Sequence, residues 1–470
     1  MAIITALSGA FMAVITALYN LLWGDLITIP LPGGSSIGIS LLVLILIPAG
    51  IFFSFRTKFL LFRFFPEMLR LSVEKKNPDR KDALSGFQAL IVSTATRVGM
   101  GNMVGVVAAV SAGGAGAVFW MWITAIIGSS TAYVEAVLAQ IHKEEDPIYG
   151  GYRGGPAHYI QSFFGRNGKK HIIAILFALS GLLCWSGVSQ VIGNSVSSAF
   201  ENAFSIPPIW STVFLVALAA VIVLRRNATV KVLDIMVPVM AVCYFVVTIV
   251  IIVMNAHLLP TVFTRILEEA FGLRQMVAGG FGAALMNGVK RGLFSNEAGS
   301  GSAPCAAAAA KVSHPAKAGL LQAFGVFIDT IVICSCTAMI MLLAPQDKIA
   351  GLQGMELLQE AMRHHFGNNG VIFIAVTLWL FSFSTFVGVL YYARSNVAFL
   401  FGDGAKPQLV FKLWALVMLF IGGLAAYTFV WDLGDIGIGL MTVFNMIAII
   451  PMSGQAIKVL EEYNTLRRRK

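Results

Sequence analysis

Charge is what this chain lacks. Of its 470 residues only 12% are Asp, Glu, Lys or Arg, about half the share a soluble domain carries. Hydrophobic residues make up 57%, and the mean hydropathy is +0.81. Composition therefore excludes a soluble enzyme or binding module and defines an all-α polytopic membrane protein, since apolar runs near ~20 residues are the length of a spanning helix. Cysteine is sparse too. Cys184, Cys243, Cys305, Cys334 and Cys336 are an odd number within apolar segments, which argues against a disulfide framework. Cys334-Ser-Cys336 reads as core, not as a metal site. There is no HExxH stretch and no Ser/His/Asp constellation, and the seven histidines fall mostly in connections. No enzymatic activity, cofactor or histidine relay is expected. A basic leader with a small-residue cleavage site is also missing, so no cleaved signal peptide is expected. The net charge of +10 gathers between apolar runs, where it orients spans, so no nucleic-acid partner is expected.

Two apolar runs are interrupted where a helix should pass unbroken. Residues 95–105 read Ala-Thr-Arg-Val-Gly-Met-Gly-Asn-Met-Val-Gly, and residues 292–301 read Gly-Leu-Phe-Ser-Asn-Glu-Ala-Gly-Ser-Gly. Glycine inside a helix costs about 1 kcal/mol relative to alanine, and opened backbone at bilayer depth survives only where protein or a water-filled cavity covers it. The plainer alternative is that these glycines only let helices pack closely. Two interrupted helices at corresponding places in two halves point instead to a transporter with inverted repeats and a site between the breaks.

Basic residues set the topology. Arg56, Lys58, Arg63, Arg70, Lys75, Lys76, Arg80 and Lys81 crowd one connection, which is cytoplasmic by the positive-inside rule. Spans then fall at about 83–111, 115–140, 172–200, 209–225, 229–255, 276–309, 316–344, 369–400, 409–429 and 433–456. Every connection that alternation makes cytoplasmic is basic, including the tail Arg467-Arg468-Arg469-Lys470. Glu201, Glu268, Glu269, Asp347, Glu356, Asp432 and Asp435 fall on the outside. The expected organisation has residues 1–37 as an interfacial or spanning segment and 38–55 as an additional first span. Residues 56–82 form the basic loop, 83–256 and 257–456 two five-helix repeats, and 457–470 a cytoplasmic tail. That is about 11 transmembrane helices around a 5+5 core, with the first and sixth core helices discontinuous.

The breaks suggest what binds. Gly99, Met100 and Gly101 would offer amides to a carboxylate, as helix N-termini do. Phe294, Ser295 and Asn296 would form the opposite wall, and half-helix carbonyls would receive an ammonium. Both charges together describe an amino acid. In the eighth core helix the hydroxyls of Ser384 and Thr385, with the carbonyl of Phe381, could meet opened carbonyls of Ala95 and Val98 in an oxygen cage for a hard monovalent cation. The alternative is that they bond their own helix carbonyls. Gln190, Asn194, Glu135, Asp234, Arg291 and Asp329 are further polar groups at depth. Glu135, Asp234 and Arg291 are placed near helix ends and water, and Arg97 is expected to pair with Asp329 or Glu297. Tyr149-Gly-Gly-Tyr-Arg-Gly-Gly-Pro156 lacks the Lys-Ser/Thr ending of a phosphate loop and reads as a gate or turn.

The sequence resembles the alanine or glycine:cation symporter family, the sodium:alanine symporters. The resemblance rests on Val98-Gly-Met-Gly-Asn102, Gly113-Gly-Ala-Gly-Ala-Val-Phe-Trp-Met-Trp122, Arg153-Gly-Gly-Pro156, Phe294-Ser-Asn-Glu-Ala-Gly-Ser-Gly-Ser-Ala-Pro304 and Phe327-Ile-Asp-Thr330. It implies a leucine-transporter-like fold, a substrate carboxylate at Gly99 to Asn102, substrate contacts at Phe294 to Asn296, and a sodium site using the eighth core helix. Three departures bear on the substrate. Met100 stands where the family commonly has Thr or Ser, and Val389 where many members have Trp. Ile192-Gly-Asn-Ser195 fits the family's Gln-Ala-Asn-Ser only loosely, which puts Ile192 at the Gln position or shifts Gln190 by half a turn. A lost Trp enlarges the pocket and a flexible methionine partly refills it. The resulting expectation is a sodium-coupled importer of small neutral amino acids in the cell membrane, with lipid around it. A proton-coupled carrier of the same fold, using Glu297 or Asp329, is the alternative.

Overall fold

The computed structural model describes residues 2–30, 36–74, 97–148, 150–166, 168–224, 229–273 and 280–468. Helix dominates because each helix satisfies its own backbone groups without water. Strand is confined, among the described residues, to two antiparallel ribbons, Ile27–Pro30 with Ser36–Ile39 and Glu144–Glu145 with Tyr152–Arg153.

Among the described residues, six helices are individually long and apolar enough to cross a membrane: Gly116–Ile141, Ile172–Phe204, Pro315–Leu342, Gly354–Phe401, Ala405–Leu424 and Phe429–Arg468. A seventh is added if the pair Pro238–Met254 and Ala256–Ala270, bent by 75°, counts as one span. The chain is thus a multi-pass membrane protein. The gap from the eleven expected spans has physical causes. Leu41–Arg56 and Pro208–Val223 hold 16 residues each, about 24 Å at 1.5 Å per residue, less than a ~30 Å hydrocarbon core. The expected span at 83–111 is described only from residue 97, and that at 276–309 is divided into Gly280–Asn296 and Ala303–Ala309.

The helix Ile172–Phe204 is the central post. It packs against Tyr427–Arg468, Gly354–Phe401 and Ala405–Leu424. Lipid tails are as apolar as leucine, so these helices associate through close packing instead of water exclusion. Glycines set the approach. A Cβ on Gly422 would lie 2.1 Å from the Gln190 carbonyl, and one on Gly437 would lie 2.3 Å from Cys184 Cα. Alanine at either place would force helix backbones apart.

Several elements depart from expectation. Residues 1–29 contain the helix Ala2–Trp23, whose end is held by the protein. Trp23 is buried and donates its indole N–H to the Asp435 carbonyl at 2.9 Å. Asp435, expected in an outer connection, is itself 1% exposed. The supposed tail from 457 continues the helix Tyr427–Arg468. Glu135 and Arg291 are buried instead of wet, because each has found protein partners, while the Asp234 side chain lies outside the described part. All five cysteines are free.

Candidate functional site

At the first break the described chain starts at Arg97 in turn geometry, passes at Gly101–Gly105 into a π-helix and continues as regular helix from Val106. π-helical turns are rare and recur at functional sites. Asn102 folds back so that its Oδ1 accepts from the Gly99 amide at 2.8 Å. The Met100 amide donates across to Thr385 Oγ1 at 2.9 Å. Two of the amides expected to face a carboxylate are therefore engaged by protein groups, because the opened turn lies against Gly354–Phe401. Gly99 permits this approach: a Cβ there would sit 2.0 Å from Thr385 Oγ1.

The second break follows Asn296. Glu297 takes a left-handed φ of 58°, and Gly299 and Gly301 follow at 100° and 81°. Glu135, from the helix Gly116–Ile141, props this break. Its carboxylate accepts from the amides of Gly299 at 3.0 Å and Gly301 at 3.1 Å, and from the side-chain amide of Asn445. Buried charge is costly unless fully hydrogen-bonded, and here three donors surround it. The side-chain amide of Asn296 bends back, its oxygen accepting from the Ala298 amide at 3.0 Å.

Between the breaks lies a cavity whose empty volume, with its opening, is about 490 Å³. Met100 and Gly101 border it from the first break, and Phe294, Ser295, Glu297 and Ser302 from the second. Thr385 and Val389 line it from Gly354–Phe401, Ile438 and Met441 from Tyr427–Arg468, and Cys184, Trp185 and Val188 from Ile172–Phe204. Arg97 also reaches it. Above Phe294, Trp431 packs edge-on with 5.0 Å between ring centres. Arg291 stacks on Trp431 and forms a two-pronged pair with Asp435 at 2.9 and 3.0 Å, which Lys290 joins at 2.7 Å.

Of the residues expected to bind substrate, Met100, Gly101, Phe294, Ser295 and Val389 thus share the cavity. Gly99 and Asn102 lie just behind it. Asn296 lines a separate small cavity with Thr124 and Thr131. Gln190 and Asn194 are not among the lining residues. Gln190 donates to the Met418 sulfur at 3.4 Å and Asn194 to the Ala425 carbonyl at 2.7 Å, since that face of the post is taken up by the glycine-mediated contact with Ala405–Leu424. The residues lining the cavity from the post lie about one turn earlier, at Trp185 and Val188. Polarity draws attention to Gln190, and no sequence signal marks Trp185 and Val188 as the lining face.

Of the residues expected around a cation, Thr385 and Ser384 both donate to the Phe381 carbonyl, at 2.9 and 2.8 Å. The helix-bonded alternative therefore describes their protons, while the Thr385 oxygen also receives Met100. Val98 is buried at the start of the break, and Ala95 lies outside the described residues. Arg97 makes neither expected ion pair. Its Nη1 donates to the Gln322 carbonyl at 2.6 Å, while Tyr392 donates to Glu297 at 3.0 Å and neutral donors hold Asp329.

On the connection after Gly116–Ile141, Glu144 accepts from Arg153 at 2.7 Å and contacts His158 at 3.1 Å, and Arg153 pairs with Asp403. The His158 hydrogen bond, above all, holds the Glu144 carboxyl down at about 2. Ser395 donates to the Gly154 carbonyl at 2.7 Å, so the Arg-Gly-Gly-Pro turn is pinned to the end of Gly354–Phe401. Tyr149 lies outside the described residues.

A largely apolar cavity between two opened backbone stretches in a multi-pass bundle fits a membrane transporter fold. A crystal structure of a mutant Eremococcus coleocola manganese transporter shares it, with a TM-score of 0.52 and 13% identity over 82% of this chain and 81% of that chain. The chain belongs to the sodium:alanine symporter family, whose profile matches residues 33–470. Its relatives include the "Probable sodium/glutamine symporter GlnT" of Bacillus subtilis, 42% identical over 90% of this chain and 87% of that protein. The "Sodium/alanine symporter AgcS" of Methanococcus maripaludis is 33% identical over 91% of this chain and 95% of that protein.

Proposed function

We propose that this protein is a sodium-coupled symporter that imports small neutral amino acids by alternating access across the cell membrane. The reading takes its spans as eleven, arranged as an additional helix and a five-plus-five inverted repeat with the C-terminus in the cytoplasm. The observation that carries it is the cavity between the two breaks, with Phe294 on its wall and Trp431 and the Arg291–Asp435 pair packed behind that ring. The names of the glutamine and alanine symporters support an amino acid as substrate and sodium as the coupling ion.

In this reading Gly101, Ser295 and the ends of the opened helices hold the amino and carboxyl groups, and Trp185, Val389 and Met441 bound the side chain. Sodium sits at the Phe381 carbonyl, Ser384 and Thr385, with Ala95 and Val98 proposed to complete its ligands. Because Thr385 also holds the Met100 amide, an ion arriving there reshapes the first break, which couples it to the substrate. Energy suffices: about 2.3 kcal/mol per charge through 100 mV plus about 1.4 kcal/mol per tenfold gradient supports several hundredfold accumulation. The proton-coupled alternative is favoured by one observation, the carboxylate of Glu297 on the cavity wall under Tyr392. Glu297→Gln decides between them. Uptake that keeps its sodium dependence supports sodium, whereas uptake that loses a response to a pH gradient supports the proton.

A further inference from the structure

A second pocket opens far from the broken helices, on the connection between the short helix Pro156–Phe164 and the post Ile172–Phe204. Arg166, Lys169 and Lys170, all exposed, line it together with His171. Phe163, Phe164 and Ile172 supply the rest of its wall, and no Asp or Glu is among its lining residues. Its empty volume, with its mouth, is about 830 Å³. Arg153, earlier on the same connection, makes the contrast: it is spent on the carboxylates of Glu144 and Asp403.

The loop that carries these cations is held in shape. Gln161 bridges it, donating to the Lys169 carbonyl at 2.9 Å and accepting from the His171 amide at 2.7 Å. His171 stacks on Phe164 with 5.2 Å between ring centres. Lys170 donates to the Leu400 carbonyl at 3.2 Å and lies over the Phe399 ring, which fastens the pocket to the end of Gly354–Phe401. Positive charges gathered on one fixed loop repel one another, and an anion among them removes that cost.

The surroundings narrow the kind of anion. The post turns apolar at its first residue, and Ile172, Leu176 and Leu179 are exposed at helical spacing. One strip of lipid-facing surface therefore rises from the pocket along the helix. Phe163, 43% exposed, adds an apolar edge at the same level. A soluble anion would engage the cations and leave the strip unused. A phospholipid engages both, with its phosphate among the cations at the membrane surface. Arginine meets phosphate oxygens with a two-pronged fork, and lysine meets them as a point charge.

We propose that this pocket binds an anionic phospholipid, with Arg166, Lys169 and Lys170 around its phosphate and Ile172, Leu176 and Leu179 along an acyl chain. The site depends on the multi-pass fold and not on which ion or amino acid is carried.

The test uses the full-length protein purified in detergent and stripped of lipid. Phosphatidylglycerol should raise its melting temperature by several degrees, as a ligand of the folded state does, and should remain bound as a one-to-one complex in native mass spectrometry. Phosphatidylcholine and inorganic phosphate should do neither. Replacing Arg166, Lys169 and Lys170 together by Gln should abolish the shift and the complex. Ile172→Gln, at an exposed position that leaves all three cations in place, should weaken phosphatidylglycerol binding several-fold and guards against misfolding of the triple variant. Lys458→Gln with Arg468→Gln, which removes exposed charge from the end of the last helix, should leave binding as in the wild type. An unaltered complex in either the triple variant or Ile172→Gln overturns the site. Stabilisation by inorganic phosphate equal to that by phosphatidylglycerol overturns the lipid, and equal loss in the Lys458 and Arg468 variant reduces it to diffuse attraction and overturns it too. Sodium-dependent uptake by the wild type reports separately on the symporter reading, which none of these results changes.

Discussion

The two helix breaks solve one problem with different chemistry. At the first, the opened backbone is closed by neutral groups: Asn102 reaches back to Gly99, and Thr385 reaches across to Met100. At the second, the carboxylate of Glu135 takes the Gly299 and Gly301 amides, and Asn445 joins it from the last helix. Asn445 in turn accepts from Tyr159, on the helix that follows the Arg-Gly-Gly-Pro turn. The first break is therefore tied to the helix that carries Thr385, and the second is tied through Asn445 to the connection bearing Arg153. The two ties thus differ: neutral side chains close the first break, and a buried carboxylate holds the second.

Substitutions that remove one tie at a time sharpen this contrast. The largest effect is expected from Glu135→Leu. It strands the backbone amides of Gly299 and Gly301, each unsatisfied buried group costing about 1–3 kcal/mol, while Asn445 keeps its bond to the Gly299 carbonyl. The protein should melt well below wild type in detergent and show no uptake; near-normal melting would show that the carboxylate carries no weight. Gly99→Ala comes next. Its Cβ would lie 2.0 Å from Thr385 Oγ1, whereas that of Gly101→Ala would meet Ser295 Cα at 3.3 Å. Gly99→Ala should thus cut sodium-driven uptake at least tenfold, about 1.4 kcal/mol, and Gly101→Ala much less. The reverse order would mean that the first break is not closed by Thr385.

Thr385→Ala keeps the space and removes one cross-helix hydrogen bond worth about 1 kcal/mol. Sodium half-activation should rise about fivefold, with amino-acid selectivity little changed. Unchanged sodium activation would take Thr385 out of the cation site. The smallest effect is expected from Met100→Thr. Met100 is wholly buried against the cavity, so this variant should reorder which neutral amino acids compete while leaving maximal uptake within about threefold, an effect below 1 kcal/mol. An identical competition profile would show that the side chain at position 100 does not shape the pocket.

Much of this contrast was legible in the sequence, and where it was not the reasons are physical. Gly99, Gly101, Gly299 and Gly301 pointed to both breaks, because they cluster beside polar residues inside apolar runs. Hydropathy pointed to a multi-pass helical protein. Partner choice was not legible. Nothing in the sequence tells whether Gln190 faces a cavity or a glycine on Ala405–Leu424, since both are buried and a helix turns by only 100° per residue. Glu135 gave no hint of its role, for its partners are backbone amides about 165 residues away. Arg97 was assigned a carboxylate by charge alone, yet a main-chain carbonyl of Gln322 was the nearer acceptor.

The most direct test is uptake of labelled neutral amino acids into proteoliposomes, with an inward sodium gradient, an inward proton gradient, or neither. Accumulation of alanine-sized or somewhat larger neutral amino acids only with the sodium gradient is the result expected of a cavity between these two breaks with Thr385 at its edge. Equal accumulation driven by the proton gradient without sodium would contradict the account and move the coupling ion to Glu297.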